Sequence, residues 1–244
     1  MSPNWVALAD RLVGVLELAT SPVAITFADV PPADVDRFDA PMSEPTADGR
    51  RGRVPAGCVF WAQGVERAFA TVPEDHGNCT VGSITHGMLS PSDAAGREDV
   101  AALVGAGWVG PGVLDVLPRV KKRPGTVVYA PLAACGAAAE PDVVLLRIDG
   151  RQLMVLSDAL PELTVQGKPQ CGIVAMAKEG GVPAASFGCA LSRQRTGMRS
   201  DEMTCTLPAR DLDAIVESLE RAAAVDETVA RYAADDARRF ATGP

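Results

Sequence analysis

The sequence predicts an α/β layer fold, with α+β as its near alternative. It is built as one unit of two fused, pseudo-equivalent halves, about 1–125 and 126–244, with mixed β-sheets flanked by helices. Three observations predict it. Short apolar strands alternate with amphipathic helical stretches along the whole chain. Two cysteines are each followed nine positions later by methionine with glycine just before it, Cys79 to Gly87-Met88 and Cys189 to Gly197-Met198. A second cysteine precedes each of these, Cys58 by 21 positions and Cys171 by 18. A period of about 110 residues indicates duplication of a half, not a solenoid.

The elements follow in order. Trp5, Leu8, Leu12, Val15, Leu16 and Ala19 fall at helical spacing and predict an amphipathic helix over 4–19. Asp10, Arg11 and Glu17 interrupt it, so it is expected to be neither a signal peptide nor a membrane span. A strand at 23–28 leads into a loop at 29–53. The apolar run from Cys58 to Gln63 fits strand or helix, because periodicity does not separate the two over so short a stretch. A strand near 68–72 precedes the Cys79 loop and its helix, and a further helix lies near 97–105. The strand Thr126 to Ala130 opens the return, and Val143 to Ile148 repeats the strand at 23–28. A helix from about Arg151 to Leu160 comes next. Pro208 and Asp211 mark the start of a last helix over about 209–240.

The chain has 244 residues, 47% of them hydrophobic, and a net charge of −8. That is ample for a core, and the acidic balance argues against nucleic-acid binding, which needs a basic surface. The run Arg119 to Arg123 is short and reads as a solvated turn. No apolar run is long enough for a membrane span. The expected setting is cytoplasmic, where six cysteines are unlikely to form a disulfide framework.

Cys58, the segment "EDHGNC" with Asp75, His76 and Cys79, "YAPL" at 129–132, "PDVV" at 141–144 and "FGC…DEM" at 187–203 together carry a family resemblance. Over about Leu12 to Leu219 the chain resembles domain of unknown function 169. Its members are bacterial and archaeal, and they end with a Gly-Cys and an Asp-Glu pair like Gly188-Cys189 and Asp201-Glu202. The resemblance brings no established reaction with it. Cys135 and Cys205 stand outside both the repeat and the family pattern and are expected to pack as apolar side chains.

The repeat pairs Cys58 with Cys171 and Cys79 with Cys189. Equivalent positions of fused halves approach one another near the axis between them, and four thiolates there form a soft sulfur site. The expected cofactor is an iron-sulfur cluster of the four-iron type, with zinc or no cofactor as alternatives. No C-x-x-C pair occurs, so the fold must assemble the ligands from distant loops. His76 and Arg193 are the expected proton donor and anion clamp for a small-molecule substrate, with an electron-transfer partner implied by redox use. His86 has Thr196 at its repeat position and is expected to play no part. G-x-S-x-G and P-loop motifs are absent. Two rival classes stand beside this reading: a non-catalytic small-ligand or accessory protein with packing cysteines, and an enzyme with one cysteine nucleophile.

Overall fold

The computed structural model describes residues 3–39, 56–94, 96–135 and 140–241; most of the expected loop at 29–53 lies outside them. In chain order the helices and strands are α1 (Trp5–Leu16), β1 (Val23–Ala28), α2 (Gly57–Gly64), β2 (Phe69–Thr71), α3 (Thr80–Thr85), α4 (Pro91–Ala94), α5 (Glu98–Gly105) and α6 (Val113–Val116). Then come β3 (Thr126–Pro131), β4 (Val143–Ile148), α7 (Gly150–Ala159), β5 (Thr164–Gln166), α8 (Gly172–Ala175), β6 (Ala184–Ser186), α9 (Ala190–Thr196), β7 (Met203–Pro208) and α10 (Leu212–Ala241). The fold is α/β, and the strands form one mixed seven-stranded sheet in the order β2-β3-β1-β4-β7-β6-β5. Among the described residues no helix is long and apolar enough to cross a membrane.

The register of this sheet contains a local two-fold. Val23 pairs with Pro131 at the start of the β1–β3 ladder, and Val143 with Pro208 at the start of β4–β7. Val23 therefore corresponds to Val143, and Pro131 to Pro208. At the centre, Val23 faces Leu145, Ala24 faces Val144 and Ile25 faces Val143. Exchanging the halves maps this ladder onto itself about the Ala24–Val144 pair. Hydrogen bonds repeat as well: Leu132 N–H donates to Pro22 O at 2.8 Å, and Ala209 N–H donates to Asp142 O at 3.1 Å. Beyond β6 the strand β5 runs parallel to it, Val165 beside Ala185, and at the matching place in the first half Arg37 makes a parallel bridge to Ala70 of β2.

Alternation along the strands sends side chains to two cores. Ala24, Val144, Leu146 and Ile148 join α1, α7 and the first turns of α10 on one face. Val23, Ile25, Val143 and Leu145 join α2, α3, α5 and α8 on the other. An axis normal to the sheet keeps each residue and its equivalent on the same face, so the second face receives both halves' cysteine segments. Helix α1 starts on Asn4, whose side chain accepts from Ala7 N–H at 3.1 Å, and ends at Glu17 in the left-handed region. Helix α7 opens with a reciprocal Asp149–Gln152 capping box. The cysteine Cys205 is fully buried in the first core and Cys135 packs against it, away from the other four.

Both repeat glycines have left-handed backbone, Gly87 at φ 73° and Gly197 at φ 63°, where each turns the chain after a short helix. A Cβ on Gly87 would stand 2.6 Å from Val120 O, whereas one on Gly14 in α1 meets nothing within 4 Å. Gly87→Ala is expected to lower unfolding free energy by about 1–3 kcal/mol. Gly14→Ala is expected to raise it by roughly 0.5–1 kcal/mol. Urea denaturation of the two variants beside the parent checks both signs.

Candidate functional site

The four repeat cysteines stand at the beginnings of four helices. Cys58 is the second residue of α2, and Cys79, Cys171 and Cys189 occupy the N-cap positions of α3, α8 and α9. Across the two-fold, α2 packs on α9 and α3 packs on α8, two contacts that are equivalents of each other. Each cysteine of one half is thereby carried to the other half. The thiols act on one another electrostatically: Cys79 and Cys189 on Cys58, Cys79, Cys189 and Cys58 on Cys171, and Cys79 on Cys189.

Burial dominates the ionisation of Cys58, Cys171 and Cys189. Desolvation, then the neighbouring Cys79, pushes the Cys58 thiol up to about 12. The same two causes, in the same order, raise Cys171 well above the usual thiol range. Cys189 is also raised by burial, against backbone amides that favour its anion, led by Ser192 N–H, which donates to Cys189 Sγ at 3.4 Å. Arg195 favours the Cys58 thiolate and is anchored by an Nη2–H donated to Asn78 O at 3.2 Å. These are neutral thiols that need added positive charge to ionise. A thiol activated as a nucleophile has its pKa lowered, the opposite shift.

Among the described residues, no group of three or more His, Cys, Asp or Glu side chains is set to hold a metal ion. Tetrahedral zinc puts its sulfurs about 3.8 Å apart, from Zn–S bonds of about 2.3 Å. Beside Cys58 lies a void of about 10 Å³, room for one water-sized group, lined by Cys58, Trp61, Gln170, Ser192 and Thr204, with Arg147 as part of its wall. Trp61 Nε1, Gln170 Oε1 and Thr204 Oγ1 are buried without hydrogen-bond partners among the described residues.

The other expected site residues lie elsewhere. Arg193 donates to the carbonyls of Arg199, Phe187 and Glu202, so its guanidinium ties the chain after α9 to itself and is not presented as an anion clamp. His76 is 1% exposed, edge-on to Phe60 with ring centroids 4.8 Å apart. Its ring lies 5.5 Å from that of His86, which is also buried, and no cysteine acts on its ionisation. The Thr71 hydroxyl donates to Val127 O at 3.0 Å, so His76 Nε2–H donates to Thr71 Oγ1 at 2.9 Å and Nδ1 is left bare. His86 donates Nδ1–H to Gly82 O at 2.8 Å and leaves Nε2 bare. Both are neutral core histidines beneath α2. Asp201 and Glu202 pair with Arg199 and Arg147, not with Arg193 or Arg195. Arg147 has a signal in the sequence that the repeat did not single out: it is the one charge in the apolar strand "VVLLRI".

Desolvation lowers His86 to about 4 and His76 well below its usual value, the latter also through His86. Unfolded histidine titrates near pH 6.5. Between that pH and about 4 the unfolded chain binds protons that the folded chain does not. The histidines' contribution is therefore complete above pH 6.5 and lost as pH falls, at roughly 1.4 kcal/mol per pH unit for each. Urea midpoints measured from pH 7 to 5 are expected to fall, and less steeply in His86→Gln.

The family model described as DUF169, uncharacterised ArCR, matches residues 11–218. Neither the curated proteins nor the solved structures include a significant match to the chain. With the match spanning both cysteine segments and the whole sheet, the chain belongs to the DUF169 family.

Proposed function

We propose that Cys58, Cys79, Cys171 and Cys189 hold an iron-sulfur cluster of the four-iron type, used for redox or Lewis-acid chemistry on a small molecule. The observation that carries this reading is the convergence of four separated cysteines, all on one face of the sheet and all within electrostatic reach of one another. A four-iron cluster is a larger body than a single ion, and its ligand sulfurs stand farther apart than those around zinc. The donor set is all sulfur, which suits iron-sulfur chemistry. Ser192 N–H, directed at Cys189 Sγ, and Arg195, acting on Cys58, supply what a buried anionic cluster needs from its surroundings. With all four cysteines on iron, such a cluster would supply electron transfer; with three, its fourth iron would be open to substrate. The protein's part is to exclude water, fix the sulfurs and hold the substrate beside them.

The raised thiols weigh against the cysteine-nucleophile alternative. The accessory-protein alternative has a specific feature in its favour, a cleft lined by Thr20, Arg147, Asp149 and Gln152 that shares Arg147 with the void at Cys58, and makes a different forecast for the cysteines.

Protein purified without oxygen is expected to be brown, with iron and acid-labile sulfide in stoichiometric amounts. Serine at Cys58, Cys79, Cys171 or Cys189 is expected to cost most of the iron, while Cys135→Ser and Cys205→Ser retain it. Visible absorption and metal analysis check this. A colourless sample without iron or sulfide sinks the proposal, and one zinc per chain replaces the cluster with a zinc site. Unchanged colour and ligand binding in Cys58→Ser and Cys189→Ser favours the accessory protein.

A further inference from the structure

Arg147 stands between two spaces. On one side is the void at Cys58; on the other is a cleft of about 240 Å³ lined by Thr20, Arg147, Asp149, Gln152, Arg199 and Glu202, with Glu17 at its wall. Among the described residues Arg147 alone lines both, so whatever it holds in the cleft is held at the edge of the cysteine site.

The hydrogen-bonding capacity of the cleft is unevenly used. Asp149 accepts from Gln152 N–H at 2.9 Å as the cap of α7. Glu17 is paired with Arg151 at 3.2 Å. Glu202, 7% exposed, takes Arg147 Nε–H on one oxygen and Arg199 N–H on the other at 3.1 Å. Arg147 spends only Nε, and its terminal nitrogens have no partner among the described residues. The Thr20 hydroxyl is buried and also without one. Arg199 spends Nε on Asp201 at 3.1 Å and its backbone N–H on Glu202. The donors that remain on offer are the terminal nitrogens of Arg147, those of the more exposed Arg199 and the Thr20 hydroxyl, the complement of a planar anion.

The other half of the protein shows that this arrangement is specific to one side. In the two-fold pairing Phe27 occupies the position of Arg147, and Gly125 that of Glu202. Gly125 packs so closely that a Cβ there would stand 2.0 Å from Asp29 O. The equivalent place is closed by backbone, while the second half opens it and lines it with an ion pair.

We propose that the cleft binds a small monocarboxylate through the terminal nitrogens of Arg147 and the hydroxyl of Thr20, in competition with Glu202. The forked guanidinium matches a carboxylate, and Glu17, Asp149 and Glu202 on the walls oppose the second charge of a phosphate. As the substrate class of the cysteine site this rests on the cluster reading; the binding itself does not.

Isothermal titration of the full-length protein with glycolate tests it, with glycolamide and inorganic phosphate as controls. Expected is saturable glycolate binding, with both controls at least tenfold weaker. Arg147→Lys keeps the charge beside Glu202 but loses the fork, and is expected to weaken glycolate at least tenfold. Thr20→Val is expected to weaken it a few-fold, and Glu202→Gln, which removes the competitor, to tighten it. Circular-dichroism melts verify that each variant is folded. Absent binding, phosphate binding as tight as glycolate, or affinities unmoved by Arg147→Lys and Thr20→Val overturn the proposal. Iron and sulfide measured on the same samples keep the two readings apart. Iron-free protein that binds glycolate through Arg147 retains the cleft and loses the cluster; iron-loaded protein that does not bind it does the reverse.

Discussion

The constraint on which the rest of the structure depends is the antiparallel pairing of β1 with β4 about Ala24 and Val144. Because strand side chains alternate, sliding this ladder by one residue would send Val23, Ile25, Val143 and Leu145 to the opposite face. They are buried there among Phe60, Tyr129 and Ile173, and the facing core holds Ala24, Val144 and Leu146, so neither set tolerates the exchange. The register is thus fixed by burial on both sides. Once it is fixed, an axis normal to the sheet delivers both halves' helices to one face. The α2–α9 and α3–α8 contacts, and with them the convergence of the cysteines, are consequences of that one pairing.

Electrostatics then divides the groups on this face into two kinds. The thiols of Cys58, Cys171 and Cys189 are held neutral mainly by burial, yet an amide and a guanidinium are placed to favour their anions. That combination resists ionisation until a cation arrives and then stabilises the product, which is the behaviour of a ligand set. The histidines show the other kind. Each gives its single N–H to a neighbouring oxygen, Thr71 Oγ1 or Gly82 O, and burial is the main cause that depresses it, joined at His76 by the charge of His86 and opposed at His86 by the Gly82 carbonyl. Their rings, with Phe60 and Tyr129, form the aromatic floor under α2.

Much of the scaffold was legible in the sequence because local rules decided it. Strands at 23–28 and 143–148, the helix after Asp149 and the paired cysteines all follow from periodicity, caps and spacing. The segment at Cys58 did not resolve into strand or helix, since five apolar residues in a row fit either; it forms α2, buried against β1 and β3. The histidines were harder still. Gly, Asn and Pro around His76 have the composition of an exposed turn, and only the placement of α2 over that turn buries it. Arg193 shows the same limit from the other side. Its carbonyl partners at 187, 199 and 202 are brought together by the path of the chain around α9, and charge patterning carries no record of that path.

A duplicated scaffold supplies two equivalent approaches to whatever lies on its axis, and chemistry on an asymmetric substrate needs one of them closed. The first half's side is closed by bulk and backbone: Phe27 tilts against His86 at 5.9 Å, Lys178 Nζ from the second half lies 5.1 Å from the Phe27 ring centroid, and Gly125 is pressed onto Asp29. The second half places Arg147 and Glu202, paired with each other, at the matching positions. In the proposed reading the cysteines keep the symmetry because a soft sulfur site would use all four alike, and the residues around them lose it because a substrate would enter from one direction. The divergence of Phe27 from Arg147 across an otherwise matched ladder is the point where a symmetric binding frame becomes a site with a front and a back.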